Sequence, residues 1–195
     1  LQTPSGRRIF EMYKTKIDLP ETVRFKVIEL LNQRVAECID LTLQAKQAHW
    51  NVKGPEFRSL HKLFDTIAEG SQKSSDALAE RLVQLGGLAQ GTVEAVNDRS
   101  DLPAYPLSIT DGADHLDALG NSIAASSKWM RESIGITADW KDYGTSDLLL
   151  KSSQKLDQYL WMVEAHLQGK LRELKAMEKE EKPLQERQLK SASGG

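Results

Sequence analysis

Apolar residues recur at three- and four-residue spacing along most of the chain, the period of amphipathic helices. Val23, Val27, Leu30, Leu31, Val35, Cys38, Leu41 and Ala45 mark a first helix, opened by Pro20 and ending near Trp50. Asn51-Val52-Lys53-Gly54-Pro55 breaks it. Leu60, Leu63, Phe64, Ile67, Ala68, Leu78, Leu82 and Leu85 mark a second helix from about Glu56, stopped by Gly86-Gly87. Residues 88–108 form a long connection with Pro103 and Pro106, and a short helical turn is predicted at 93–97. Thr110-Asp111 opens a third helix carrying Leu116, Leu119, Ile123, Ala124, Trp129, Met130 and Ile134, and 135–144 reads as a turn region. Thr145 is predicted to cap a fourth helix from Ser146 that runs on toward Glu181, where Pro183 ends or kinks it.

No segment alternates with period two. Four long helices joined short, long, short describe an all-α four-helix bundle with one crossover and a short helix within it, a ferritin-like topology. A length of 195 residues suits one domain. The predicted organisation is a flexible basic arm over 1–16, the bundle over 17–169 and a charged extension over 170–195. Cys38 is the only cysteine, which excludes an internal disulfide and favours a reducing compartment. No apolar run approaches the roughly 18 residues of a membrane span, and the first ten residues lack the apolar stretch of a secretory signal. A cytoplasmic location is expected.

The chemistry-bearing residues gather on the first helix pair. His61 and Asp65 are four residues apart on the second helix, as are Asp76 and Glu80, and all four fall within an arc of about 100°. Asp65 and Asp76 are separated by about 16 Å along the axis, too far for one metal in one chain. The spacing is nevertheless symmetric about Gly70-Ser71. A second, antiparallel copy of the helix would set His61 against Glu80 and Asp65 against Asp76, with Gly70, Ser71, Ser74 and Ser75 near the crossing. The short hairpin brings His49 beside His61. The spacing thus predicts a metal site shared across a two-fold dimer. Imidazoles with carboxylates suit Fe(II), Mn(II) or Zn(II). The same residues also fit a solvated helix face without metal.

Lys46-Gln47-Ala48-His49-Trp50-Asn51-Val52-Lys53-Gly54-Pro55 resembles the end of the first helix in the Dps family, the DNA-protection-during-starvation mini-ferritins. Asp76-Ala77-Leu78-Ala79-Glu80-Arg81 with Gln84-Leu85-Gly86-Gly87 resembles that family's second signature. Tyr105-Pro106-Leu107 with Asp111 and His115, and Leu160-Trp161-Met162-Val163-Glu164-Ala165, are similar to it as well. The resemblance covers about Met12 to Gln168. It implies a hollow dodecamer and a ferroxidase that oxidises Fe(II), preferably with hydrogen peroxide, and stores ferric oxide. It also implies that His49, His61 and Asp65 of one chain act with Asp76 and Glu80 of its mate. Trp50 resembles the family's radical-intercepting tryptophan, and Asp142 and Asp147 resemble its pore-lining acids. Helix N-terminal aspartates would look the same in sequence.

Lys73 lies one turn before Asp76 and is expected to weaken a second iron position. His115 and Cys38 read as structural, and His166 as a helix-terminal surface histidine. The net charge of −2 is uneven. Residues 1–16 carry four bases against one acid, and 170–195 carry seven against five, leaving an acidic bundle. Such a bundle attracts cations, and basic tails bind phosphate without reading bases. DNA coating through the tails and a zinc-filled module without turnover are therefore the competing functions.

Overall fold

The computed structural model describes residues 12–192, with side chains described through residue 169. The helices are α1 (Glu21–Asn51), α2 (Phe57–Gln84), α3 (Val93–Arg99), α4 (Gly112–Asp139) and α5 (Tyr143–Ala192). There is no strand among the described residues, only an isolated parallel bridge between Lys53 and Asp111. α1 packs along α2 and α4 along α5, and the two pairs close on each other through α1–α4 and α2–α5 contacts. Val27, Leu31, Leu41, Phe64, Ile67, Leu78, Leu116, Ile123, Leu149 and Val163 meet in one buried core. Each large apolar side chain so buried contributes about 1.5–3 kcal/mol.

Two contacts fix the path of the crossover. Arg24, near the start of α1, donates to Leu85 O at the end of α2 (2.8 Å). Lys53, just past the end of α1, donates from its backbone N–H to Thr110 O (2.9 Å), beside the start of α4. The connection therefore carries the chain back along the length of the bundle.

Helix ends depart from the expected pattern in ways that have local causes. Pro20 sits one residue before α1, and its carbonyl accepts from Val23 and Arg24 (both 2.9 Å). α2 ends in a Schellman turn, with Gly87 N–H on Leu82 O and Gly86 N–H on Val83 O (both 2.9 Å). Gly86 takes φ +91° there.

α4 passes through Gly135, where a turn was expected, because open space surrounds that position and a lone glycine costs a helix only about 1 kcal/mol. The reversal comes later, with Lys141 at φ 63° and Asp142 N–H on Thr137 O (2.9 Å). α5 then starts at Tyr143 rather than Ser146. Asp142 rather than Thr145 caps it, accepting from Thr145 N–H (3.1 Å). The helix also continues past Pro183, within a run of strong helix formers.

Residues 12–19 lie against the bundle: Tyr13 N–H donates to Gly86 O (2.9 Å), and Met12, Ile17 and Leu19 pack on the core. The boundary expected at residue 16 thus falls inside a docked segment. The remainder of the arm, 1–11, lies outside the described residues, as do the side chains of 170–195. No helix of the described chain is long and apolar enough to cross a membrane.

Candidate metal centre

The tight turn between α1 and α2 sets His49 and His61 face to face. Their rings stack with centroids 3.6 Å apart and planes 21° apart. His49 Nδ1 lies 2.7 Å from His61 O, and His61 Nδ1 lies 2.7 Å from His49 O. A carbonyl oxygen only accepts, so each Nδ1 carries a proton and donates it. In the neutral ring the lone pair then sits on Nε2, the form a metal ligand needs. Phe57 flanks the pair, its ring 5.1 Å from that of His61.

Asp65 follows one turn after His61. Its Oδ1 is 4.0 Å from His49 Nδ1 and is ion-paired with Lys46 Nζ. The Lys46 ammonium, helped by His49 and His61, holds the Asp65 carboxyl below the usual carboxylate range. Lys46 is the residue of this cluster that sequence reading did not single out. The available signal was its place three residues before His49, on the same face of α1.

Asp76 and Glu80 lie farther along α2, and both are exposed. Asp76 lines an open groove of about 580 Å³ with Glu69, Gln72, Lys73, Val35 and Ile39. Lys73 thus shares this wall with Asp76, as its spacing suggested. Among the described residues, no group of three or more His, Cys, Asp or Glu side chains forms a metal site within one chain. The chain carries His49, His61 and Asp65 in one place and Asp76 with Glu80 in another.

The small residues of α2 are placed otherwise than expected. A Cβ on Gly70 would overlap the hydroxyl of Tyr159 on α5, and Ser71 and Ser75 are buried. Gly70 thus makes room for α5, while Ser75 lines the same open groove as Asp76. The outward stripe is formed instead by Glu69, Gln72 and Lys73.

The Ferritin family, described as a ferritin-like domain, matches residues 28–172. The DNA protection during starvation protein of Agrobacterium fabrum is 43% identical over 158 residues, spanning 81% of this chain and 98% of that protein. The chain belongs to the Dps family. Dps structures share its architecture. Mycobacterium smegmatis Dps in its tetragonal form gives a TM-score of 0.77 at 30% identity, covering 80% of this chain and 94% of that one. DpsA14 from Streptomyces coelicolor gives 0.76 at 31%, covering 80% and 92%.

The two acids expected at a pore of this Dps chain differ in their surroundings. Asp142 is 2% exposed. Its carboxylate accepts from Arg81 Nη2 (2.8 Å), Thr145 N–H (3.1 Å) and Thr145 Oγ1 (2.5 Å). Within the chain it is committed to closing the α4–α5 turn. Asp147 is exposed and, among the described residues, is paired with its neighbour Lys151 (2.7 Å).

Trp50, beside His49, is 68% exposed. His115 is buried, bonded to Tyr105 OH (2.6 Å) and edge-on to Phe64, which fits its structural reading. Burial pushes its imidazole pKa down. His166 Nδ1 lies 3.6 Å from Glu56 Oε1, so it ties α5 to the α1–α2 turn. Burial raises the Cys38 thiol to about 12, which leaves it inert.

Proposed function

We propose that this chain is a ferroxidase and iron-storage mini-ferritin whose oxidation site is completed by a second copy. The observation that carries the reading is the reciprocal clamp between His49 and His61. It fixes both rings in the metal-ready tautomer next to Asp65, and His61 and Asp65 share the α2 stripe with Asp76 and Glu80. Family membership and the symmetric spacing on α2 support the same arrangement.

In this reading two α2 helices lie antiparallel about a two-fold axis, and each Asp65 faces the Asp76 of the other copy. Ferrous iron is the substrate. Two Fe(II) ions give one electron each to hydrogen peroxide, which takes up two protons and leaves as two waters. The O–O bond breaks by a two-electron step and no hydroxyl radical is released. Trp50 stands next to the site as an oxidisable side chain. Manganese and zinc suit the same donors and compete for them. The copies assemble further into a dodecameric shell in which ferric oxide collects, with Asp147 at an iron entry pore. Asp142 supports that entry by holding the turn.

Basic arms give the shell a second, non-specific role on DNA. Lys14 and Lys16 are exposed where the docked segment begins. A gel shift at several salt concentrations tests that role, and no retardation at low salt removes it. The single cysteine, Cys38, buried and in no disulfide, accords with the reducing interior of a cytoplasmic or nucleoid-associated protein.

The test of the oxidation is anaerobic Fe(II) loading followed by peroxide, with ferric absorbance as the readout. A His61→Ala/Asp65→Ala protein is expected to lose the fast phase. An unchanged rate in that variant would count against the assignment.

A further inference from the structure

Glu37 lies at the middle of α1, on the face turned toward the crossover, and it is fully buried. Its Oε1 accepts from Arg34 Nη2 (2.9 Å) and, more weakly, from Gln33 Nε2 (3.4 Å). Its Oε2 has no hydrogen-bond partner, and neither does Arg34 Nε. The Arg34 guanidinium is shared, since it also sits over the Trp129 ring (5.6 Å to the centroid). A buried carboxylate with one half-shared cation and one bare oxygen is poorly placed to stay ionised.

The surroundings add like charge. Asp40 on α1 and Asp101 on the crossover both face Glu37, and Arg34 is the cation that opposes them. α4 crosses this stretch between the Gln44–Ser122 bond and the Arg34–Trp129 stack. Its buried side chains in that interval are Ile123, Ser126 and Ser127, none of them titratable. Ser126 Oγ is itself unpartnered. Burial first, and then the two aspartates, raise the Glu37 carboxyl to about 7.

The same face of α1 straps down the crossover. Gln33 donates to Arg99 O and to Asp101 Oδ2 (3.0 Å for the latter). Ser100 Oγ donates to Asp40 Oδ2 (2.5 Å), and Gln44 Nε2 reaches both Asp40 Oδ1 (3.2 Å) and Pro103 O (3.1 Å). Arg99 is engaged elsewhere, with Gln90 and Glu29. Gln33 and Asp101 belong at once to the strap and to the environment of Glu37.

We propose that Glu37 is a proton-operated latch on the crossover: protonated and buried, it lets residues 99–103 lie flat on α1, and loss of its proton favours opening of that segment to water. Opening hydrates the carboxyl and returns it to its ordinary range near 4.5. The proton is then released to solvent as the segment opens. Between pH 4.5 and about 7 opening becomes easier by up to tenfold per pH unit, and above about 7 it levels off. The inference concerns the chain's own connection and does not depend on the iron reading.

Hydrogen exchange on the assembled full-length protein tests it. The amides of Ser100 and Leu102 are hydrogen-bonded reporters within the strap. After correction for intrinsic exchange, their protection is expected to fall more than tenfold from pH 5 to pH 7 in the wild type. In Glu37→Gln, which keeps the shape without a titrating proton, it should be nearly flat over the same range. Asp101→Asn serves as a second variant: it removes a like charge but leaves Glu37, so the wild-type trend should persist with its plateau at lower pH. A flat wild-type profile, or a Glu37→Gln profile as steep as the wild type, overturns the proposal.

Discussion

His49 and His61 hold one another through each other's backbone: each Nδ1 lies 2.7 Å from the other residue's carbonyl oxygen. The bonds orient both rings and settle where the proton sits, so neither ring needs to reorganise when a cation arrives. Replacing either histidine therefore removes one donor and loosens the other. His49→Ala is expected to lower divalent-metal affinity at the site by about 10- to 100-fold, measured with Zn(II) or Co(II) by calorimetry. His49→Asn is expected to lose as much, since it supplies no imidazole. Affinity within twofold of wild type in both variants would refute the ligand role.

Lys46 and Asp65 form an ion pair, which in the proposed function an incoming cation has to break. Both side chains are about one-third exposed, so the pair itself is screened and modest. Lys46→Ala is expected to tighten metal binding by about two- to fivefold and to raise the Asp65 pKa toward its usual value. The affinity of this variant should fall off at higher pH than that of the wild type as the solution is acidified. A metal titration repeated between pH 4 and pH 7 reads both effects.

Asp142 and Asp147 allow turn stability to be tested apart from the proposed iron entry. Asp142→Ala removes a helix cap and leaves Arg81 facing an empty position. A loss of about 3 kcal/mol is expected, seen as a lower unfolding midpoint in urea. Asp147→Ala is expected to leave the midpoint unchanged and to slow iron uptake into the assembled shell. If Asp142→Ala proved as stable as wild type, its role in closing the turn would be wrong.

Gly86 meets two demands at once. It adopts φ +91° in the Schellman turn, and an added Cβ would overlap the carbonyl of Tyr13. Gly86→Ala is expected to cost about 1–2 kcal/mol and to undock residues 12–19. Faster tryptic cleavage at Lys14 and Lys16, with the helical content preserved, is the expected signature.

Glu37 also sets a pH dependence of global stability. Its folded pKa is raised from 4.5 to about 7, so folding is favoured most below pH 4.5, where both states hold the proton. As pH rises from 4.5 to 7 only the unfolded chain releases it, and stability falls by about 3 kcal/mol before levelling off. Glu37→Gln should therefore exceed wild type in stability at pH 8 and lose that advantage on acidification toward pH 4.5. Urea midpoints at the two pH values measure the difference.

The helices and their pairing were legible because amphipathic periodicity over about thirty residues is a strong signal. The order of the four long helices and the long crossover follow from it. Helix ends were less legible, because they depend on contacts the local sequence does not show. Gly135 looked like a stop, but the reversal is made by Lys141 and Asp142. Asp142 takes the cap because Arg81, distant in sequence, supplies a partner for it. The small residues of α2 show the same limit: Gly70 makes room for Tyr159, which no spacing on α2 reveals. At the candidate site the helical spacing of His61, Asp65, Asp76 and Glu80 was enough to place all four on the outer side of α2. Lys46 escaped notice because its place one turn before His49 does not reveal that its partner, Asp65, lies across the hairpin on α2.

The central claim is that two chains complete one site, and mixing two inactive variants tests it most directly. Asp76→Ala/Glu80→Ala protein and His61→Ala/Asp65→Ala protein are dissociated, combined in equal amounts and reassembled. Random pairing makes half of the dimers mixed, and each mixed dimer regains one intact site. About a quarter of the wild-type fast peroxide-dependent Fe(II) oxidation is then expected from two preparations that show none alone. Continued absence of the fast phase after demonstrated exchange of chains would contradict a shared site.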